Sequence, residues 1–126
     1  MTQLRTIAIA IAVAVLTSAG HALAAQGCNQ LQLAAGEQAS VSVLLPDVAT
    51  DLQPTLSARN AGGDKWGACP TTGPFGPCAG HADVTVVDSK KILDPDDGMQ
   101  LIGFKLKNGS SSTRDVRLCV KYSGGQ

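Results

Sequence analysis

The sequence predicts an all-β fold: a small antiparallel β-sandwich of about six to seven strands, immunoglobulin-like in general character. Apolar and polar residues alternate after residue 24, and no window of helical length carries an apolar stripe of helical period. Four cysteines are available to reinforce a modest core. A competing α+β fold places a helix over residues 47 to 53, but "DVATDLQP" is short for a helix.

The first 24 residues have the composition of a signal peptide. Arg5 precedes the uncharged run "TIAIAIAVAVLTSAG", and Ala22-Leu23-Ala24 fits a cleavage site. The run is shorter than the roughly 20 apolar residues of a membrane-spanning helix. We therefore predict a bacterial-type signal peptide over residues 1–24 and one β-sandwich domain over residues 25–126, periplasmic or secreted. A lipoprotein acylated at Cys28 is the alternative, and it would leave an odd number of cysteines for the domain.

Six predicted strands follow one another between turn residues, and each has one apolar face. Pro46 ends the second strand, because proline cannot donate to a sheet ladder. The polar connection that begins at Asn108-Gly109 predicts that the last two strands pair as a hairpin. The tripeptide "NGS" that begins at Asn108 also fits a glycan acceptor. The inward-facing residues are, in chain order, Leu31 and Leu33; Val41, Val43 and Leu45; Leu56 and Ala58; Ala82, Val84 and Val86; Ile102, Phe104 and Leu106; Val116, Leu118, Val120 and Tyr122.

The same alternation indicates how the four cysteines pair. Cys28 shares the glutamine face of the first strand, and Cys119 shares the basic face of the last, so both side chains point away from the core. If these strands are neighbours, a Cys28–Cys119 bridge ties the two chain ends together, and Cys69–Cys78 closes the segment "CPTTGPFGPC". On the chain-entropy model the long bridge contributes about 4 to 5 kcal/mol and the short one about 2 to 3 kcal/mol.

The segment between Cys69 and Cys78 is a candidate interaction loop. Its three prolines and two glycines fix a tight backbone, so the entropy of ordering it is lost before any partner binds. For the aromatic residues, the alternative is that they cap one end of the sandwich; we favour capping for the tryptophan and leave both possibilities open for the phenylalanine. The candidate binding residues are Trp66, Thr71, Thr72, Phe75 and His81.

Charge and spacing argue against most other functions. Without residues 1–24 the chain has nine basic and ten acidic residues, a net charge of −1, so no basic field is available for nucleic acid or an anionic membrane. The cysteines are too far apart for a zinc site, and we expect neither a metal nor a cofactor. "DPDDG", residues 94–98, lacks the acid spacing of a calcium loop and is typical of a turn, which leaves weak calcium binding at Asp94–Asp97 open.

No catalytic residue is assigned, because the one constellation in the mature chain is incomplete. His81 and Asp83 share a strand face without the end-on contact that a triad needs, and no GxSxG-like turn presents a nucleophile. The sequence therefore predicts an exported protein that acts by binding or structural contact with a protein partner in the cell envelope or outside the cell. The alternatives are a subunit of a surface or fimbria-like assembly joined through strand edges, and a small secreted hydrolase using His81.

Overall fold

The computed structural model describes residues 24–94 and 98–124, in which all regular structure is β-strand. The predicted signal peptide lies outside these residues except for Ala24. Within them, no helix is long and apolar enough to cross a membrane. The eight strands are β1 (Ala24–Leu33), β2 (Gln38–Pro46), β3 (Thr50–Asn60), β4 (Gly67–Cys69), β5 (Pro77–Cys78), β6 (His81–Asp94), β7 (Met99–Asn108) and β8 (Arg114–Ser123).

The strands form two four-stranded antiparallel sheets, which confirms the predicted β-sandwich. Sheet A has the order β1-β8-β3-β4 and sheet B the order β2-β7-β6-β5. The two strands that the sequence did not predict, β4 and β5, have three and two residues, too few to show an alternation. The helix considered over residues 47 to 53 is wrong, because β3 begins at Thr50 and extends through this stretch.

The core lies between the sheets and is built from the residues that the alternation placed inward. Ala82 is the exception, since it is exposed near the start of β6, and Tyr122 is half-buried against the core. Every other predicted inward residue is buried, apart from Leu31, which packs on the core while partly exposed. Val84, Leu106, Val116 and Leu118 have no exposed surface.

The predicted pairing of the last two strands is wrong, because β7 belongs to sheet B and β8 to sheet A. The connection between them crosses the sandwich and is held by Asn108, whose side chain is fully buried. Its Nδ2 donates to the carbonyls of Leu33 at 2.9 Å and Ser112 at 2.7 Å, and its Oδ1 accepts from the Ser110 amide at 2.9 Å. The amide that a glycan would need is therefore occupied inside the protein.

Both predicted disulfides are confirmed, and they occupy different environments. Cys28 and Cys119 are directly opposite each other on β1 and β8, on the outer face of sheet A, and the bond leaves no thiol for lipid attachment. Cys69 and Cys78 are buried and join β4 at the edge of sheet A to β5 at the edge of sheet B. The short disulfide therefore closes its loop and also connects the two sheets.

Candidate functional site

His81 lies beside the segment that leads into β4. Its Nε2 is 3.2 Å from the Lys65 carbonyl oxygen, and because a carbonyl can only accept, the ring nitrogen is the donor. Asp83, the other residue of the hydrolase alternative, is instead 3.7 Å from the Arg114 guanidinium. Both groups are engaged with other partners, so the geometry does not support a catalytic pair.

Trp66 lies on the outer face of sheet A and not at the end of the sandwich, where the sequence predicts it. The guanidinium carbons of Arg59 on β3 and Arg117 on β8 are 4.5 and 4.3 Å from the centre of its ring. Cations at these distances from an indole are attracted to its π electrons. The tryptophan is therefore held by two arginines of this chain and only partly available to a partner.

Asp115 fixes one of those arginines. Its carboxylate accepts from Arg59 Nε at 2.7 Å, from the Gly62 amide at 3.1 Å and from Gln32 Nε2 at 3.4 Å. Burial raises the pKa of Asp115, but the hydrogen bonds from Gly62, Arg59 and Gln32 outweigh it and leave the pKa below its ordinary value. Asp115 and Arg59 on this face thus satisfy each other's charge.

The loop between Cys69 and Cys78 turns its aromatic residue inward. Phe75 is half-buried and packs against the core, as the capping alternative predicts. Thr71 is also half-buried, whereas the tip, Thr72 to Pro74, is exposed. The Gly76 carbonyl accepts from the Val86 amide at 2.9 Å, so the loop is fastened to β6. Any contact by this loop would therefore be made by its tip.

An apolar row crosses the outer face of sheet B. Leu44 on β2 is directly opposite Leu101 on β7, which is directly opposite Ile92 on β6. Leu44 is 60% and Ile92 47% exposed, while Leu101 between them is half-buried. Directly opposed residues share a sheet face, so the three side chains form one continuous apolar strip.

A notch lies beside this row, with Gly103 of β7 as its floor. The absence of a side chain at Gly103, between Ser42 and Lys90, leaves a cavity of about 190 Å³. A Cβ at this position would lie 3.2 Å from the Cβ of Ser42, so even an alanine would be tight. Beyond the notch, Lys105 and Asp88 form a charged wall. The apolar lining of the notch is Leu101 and Phe104, and serine and charged side chains make up the rest.

The exposed large apolar side chains of the described residues are all on or next to sheet B. They belong to β2, to β6 or to the turn after β2: Leu44, Val48, Val87, Ile92 and Leu93. The sequence reasoning missed this surface. Two signals were present, namely the break of alternation at Leu44 and a glycine at residue 103 inside an apolar strand, a place where glycine often marks close approach.

No group of three or more potential metal ligands occurs within residues 24–94 and 98–124. The acidic stretch that is predicted to form a turn, with weak calcium binding left open, includes residues 95–97, which lie outside those ranges. No protein-family model, curated protein or solved structure matches this chain.

Proposed function

We propose that the chain is an exported protein that acts by binding another protein, and that the outer face of sheet B is the contact surface. The observation that carries the proposal is the exposed apolar row beside the notch over Gly103. A contiguous apolar surface is costly to leave in water and marks interaction sites. Two disulfides fit an oxidising compartment such as the periplasm or the extracellular space.

The notch has the size and chemistry of a pocket for one anchoring side chain. A dry cavity of about 150 Å³ accommodates benzene, and the notch measures about 190 Å³. The apolar row would exclude water around an aromatic or branched side chain, as the surroundings of an interface hot spot do. Lys90, Lys105 and Asp88 on the other side would orient polar groups of the partner.

The contact surface can be tested by capture from an envelope extract with the mature chain as bait. Leu44→Ser removes part of the apolar row, and Ser42→Tyr fills the notch. We expect both variants to lose the proteins that the wild type retains, while Gln30→Ser, on the exposed outer face of sheet A, retains them. Capture by both sheet B variants at the wild-type level would contradict the proposed surface.

The tip of the 69–78 loop is a second candidate contact. Its support is the exposure of Thr72 and Pro74 on a loop fastened to both sheets. Thr72→Arg in the same capture assay separates the two surfaces, because it changes the tip and leaves sheet B unaltered. If Thr72→Arg abolishes capture and the sheet B variants do not, the loop is the contact element and the outer face of sheet B is not.

A further inference from the structure

β6 extends well beyond its partner at the edge of sheet B. The β5 segment pairs with it only as far as Thr85, and the loop before β5 makes one more backbone bond, to Val86. Residues 88–94 pair with β7 on one side without a register shift, and no described strand pairs with them on the other. About every second backbone group of this stretch therefore points outward without a strand partner.

The corresponding edge of sheet A is protected against strand addition. The longer part of β3 that β4 leaves uncovered, residues 50–55, contains Pro54, which has no amide to donate. It also has a register shift between Thr50 and Gln53, and Asp51 has a φ of 53°. These irregularities prevent a regular ladder from forming on β3.

Beyond the register shift between Val86 and Asp88, the free edge of β6 is regular and is apolar at its far end. Residues 88–94 contain no proline, and their exposed residues include Ile92 and Leu93, at 47% and 58%. The exposed Lys90 and Lys91 precede them, and the two lysines lie on opposite faces of the strand. Along β6 from its N-terminal side, a strand added here would face the two lysines and then the two apolar side chains.

We propose that residues 88–94 of β6 bind an extended segment of another protein by β-strand addition. Main-chain hydrogen bonds hold the segment, and the side chains of β6 select it. An antiparallel partner complementary to this edge carries two apolar residues opposite Leu93 and Ile92, followed by two acidic residues opposite Lys91 and Lys90. The edge shares Asp88, Lys90 and Ile92 with the notch and its apolar row, but it offers backbone groups of β6 instead of the face of sheet B, so this proposal goes beyond the proposed function.

The charge pattern favours a different protein over a second copy of this chain. If residues 88–94 paired antiparallel with the same residues of another copy, Lys91 would be directly opposite its own counterpart. Like charges in directly opposed positions destabilise a strand pair. An acidic segment replaces this repulsion with attraction at both lysines.

The test uses the capped peptide Thr-Val-Val-Glu-Glu-Thr-Lys and the folded mature protein. Hydrogen exchange followed by NMR should show protection of outward-facing amides in residues 88–94, with residues 50–55 of β3 unchanged as an internal control. The same peptide with its β6-facing backbone nitrogens methylated should not bind, because it cannot donate to the strand. Thr-Val-Val-Lys-Lys-Thr-Glu, which reverses the charges, should bind about tenfold more weakly.

A charge-reversed protein completes the test. In the K90E/K91E variant both substitutions are at exposed positions, so it should keep the wild-type melting temperature, and its preference between the two charged peptides should invert. Equal binding of both charged peptides, binding of the methylated peptide, or unchanged exchange at residues 88–94 would overturn the proposal. Protection of these amides in concentrated protein without peptide would make a second copy the occupant and also overturn it.

Variants of the notch that leave the β6 edge unaltered separate the two proposals. Leu44→Ser and Ser42→Tyr leave the outer edge of β6 free and should bind the first peptide as the wild type does. If the peptide fails while those variants still lose envelope partners, the edge proposal fails and the proposed function stands.

Discussion

On the outer face of sheet A the charged residue Asp115 and the aromatic residue Trp66 contact arginines of the same face, whereas the outer face of sheet B presents apolar groups to solvent. On sheet A, Asp115 binds Arg59, and Trp66 lies against two arginines beside the Cys28–Cys119 disulfide. On sheet B, the row through Leu44 borders an open notch. The difference supports the proposal that the second face binds a partner, while side-chain contacts on the first stabilise the fold.

The largest expected change in stability comes from removing the disulfide on the outer face of sheet A. Replacing Cys28 and Cys119 by alanine should lower the free energy of unfolding by about 4 to 5 kcal/mol, because the unfolded chain loses a long covalent loop. Replacing Cys69 and Cys78 should cost about 2 to 3 kcal/mol from loop closure. Denaturant unfolding under non-reducing conditions measures both. A greater loss of unfolding free energy from the second pair would mean that the disulfide between the sheets stabilises the fold more than the disulfide within sheet A.

The next test breaks the charged cluster. Asp115→Ala should destabilise by about 2 to 3 kcal/mol, because it removes hydrogen bonds to a buried carboxylate and leaves their donors unpaired. Asp88→Ala on sheet B is the matched control, and as an exposed position it should change stability by less than about 0.5 kcal/mol. Urea denaturation of the two variants measures the difference. Similar losses of unfolding free energy in the two variants would show that charged side chains on the two faces contribute equally to stability.

Substitution of Trp66 should change the stability by a smaller amount. Trp66→Ala should cost about 1 to 2 kcal/mol, from two cation–π contacts of about 0.5 to 1 kcal/mol each. Leu44→Ser should leave the melting temperature close to that of the wild type, because the leucine is mostly in water already. Calorimetry of the two variants measures this contrast. A Leu44→Ser variant as unstable as Trp66→Ala would show that the apolar row supports the fold.

The pH dependence of the stability tests whether the charge of Asp115 stabilises the fold. Because its pKa in the folded protein is lower than in the unfolded chain, its contribution to stability is present above the unfolded value of about 3.9. That contribution is lost as pH falls from there through the folded pKa. The stability gap between the wild type and Asp115→Asn should therefore narrow on acidification below about pH 4. A gap that is constant down to acid pH would show that the carboxylate charge does not contribute.

The alternation of the sequence was sufficient to predict the class of fold, most of the core and the long disulfide. A strand repeats every two residues, so parity alone places Val116 inward and Cys119 outward. Parity does not tell which sheet a strand joins. For that reason the crossing between β7 and β8, which depends on the buried side chain of Asn108, was mistaken for a hairpin.

The candidate site was less predictable, because its apolar row and its notch are formed by residues of different strands. Leu44, Leu101 and Ile92 come from three separate strands, and only the register brings them into one row. The notch depends on Gly103 having larger neighbours on both adjacent strands. The sequence predicts Trp66 at the end of the sandwich because the chain has only four aromatic residues, and only the pairing of β3 with β8 brings Arg59 and Arg117 to one face beside it.

The Cys28–Cys119 bond also determines how the domain would carry a mechanical load. The bonded residues are 91 apart in sequence and lie near the first and last described residues, Ala24 and Gly124. A pulling force on both ends would pass from β1 through the sulfur atoms into β8 and bypass the chain between them. Under tension an oxidised domain would therefore lengthen by only a few residues at its ends, whereas a reduced one would unravel.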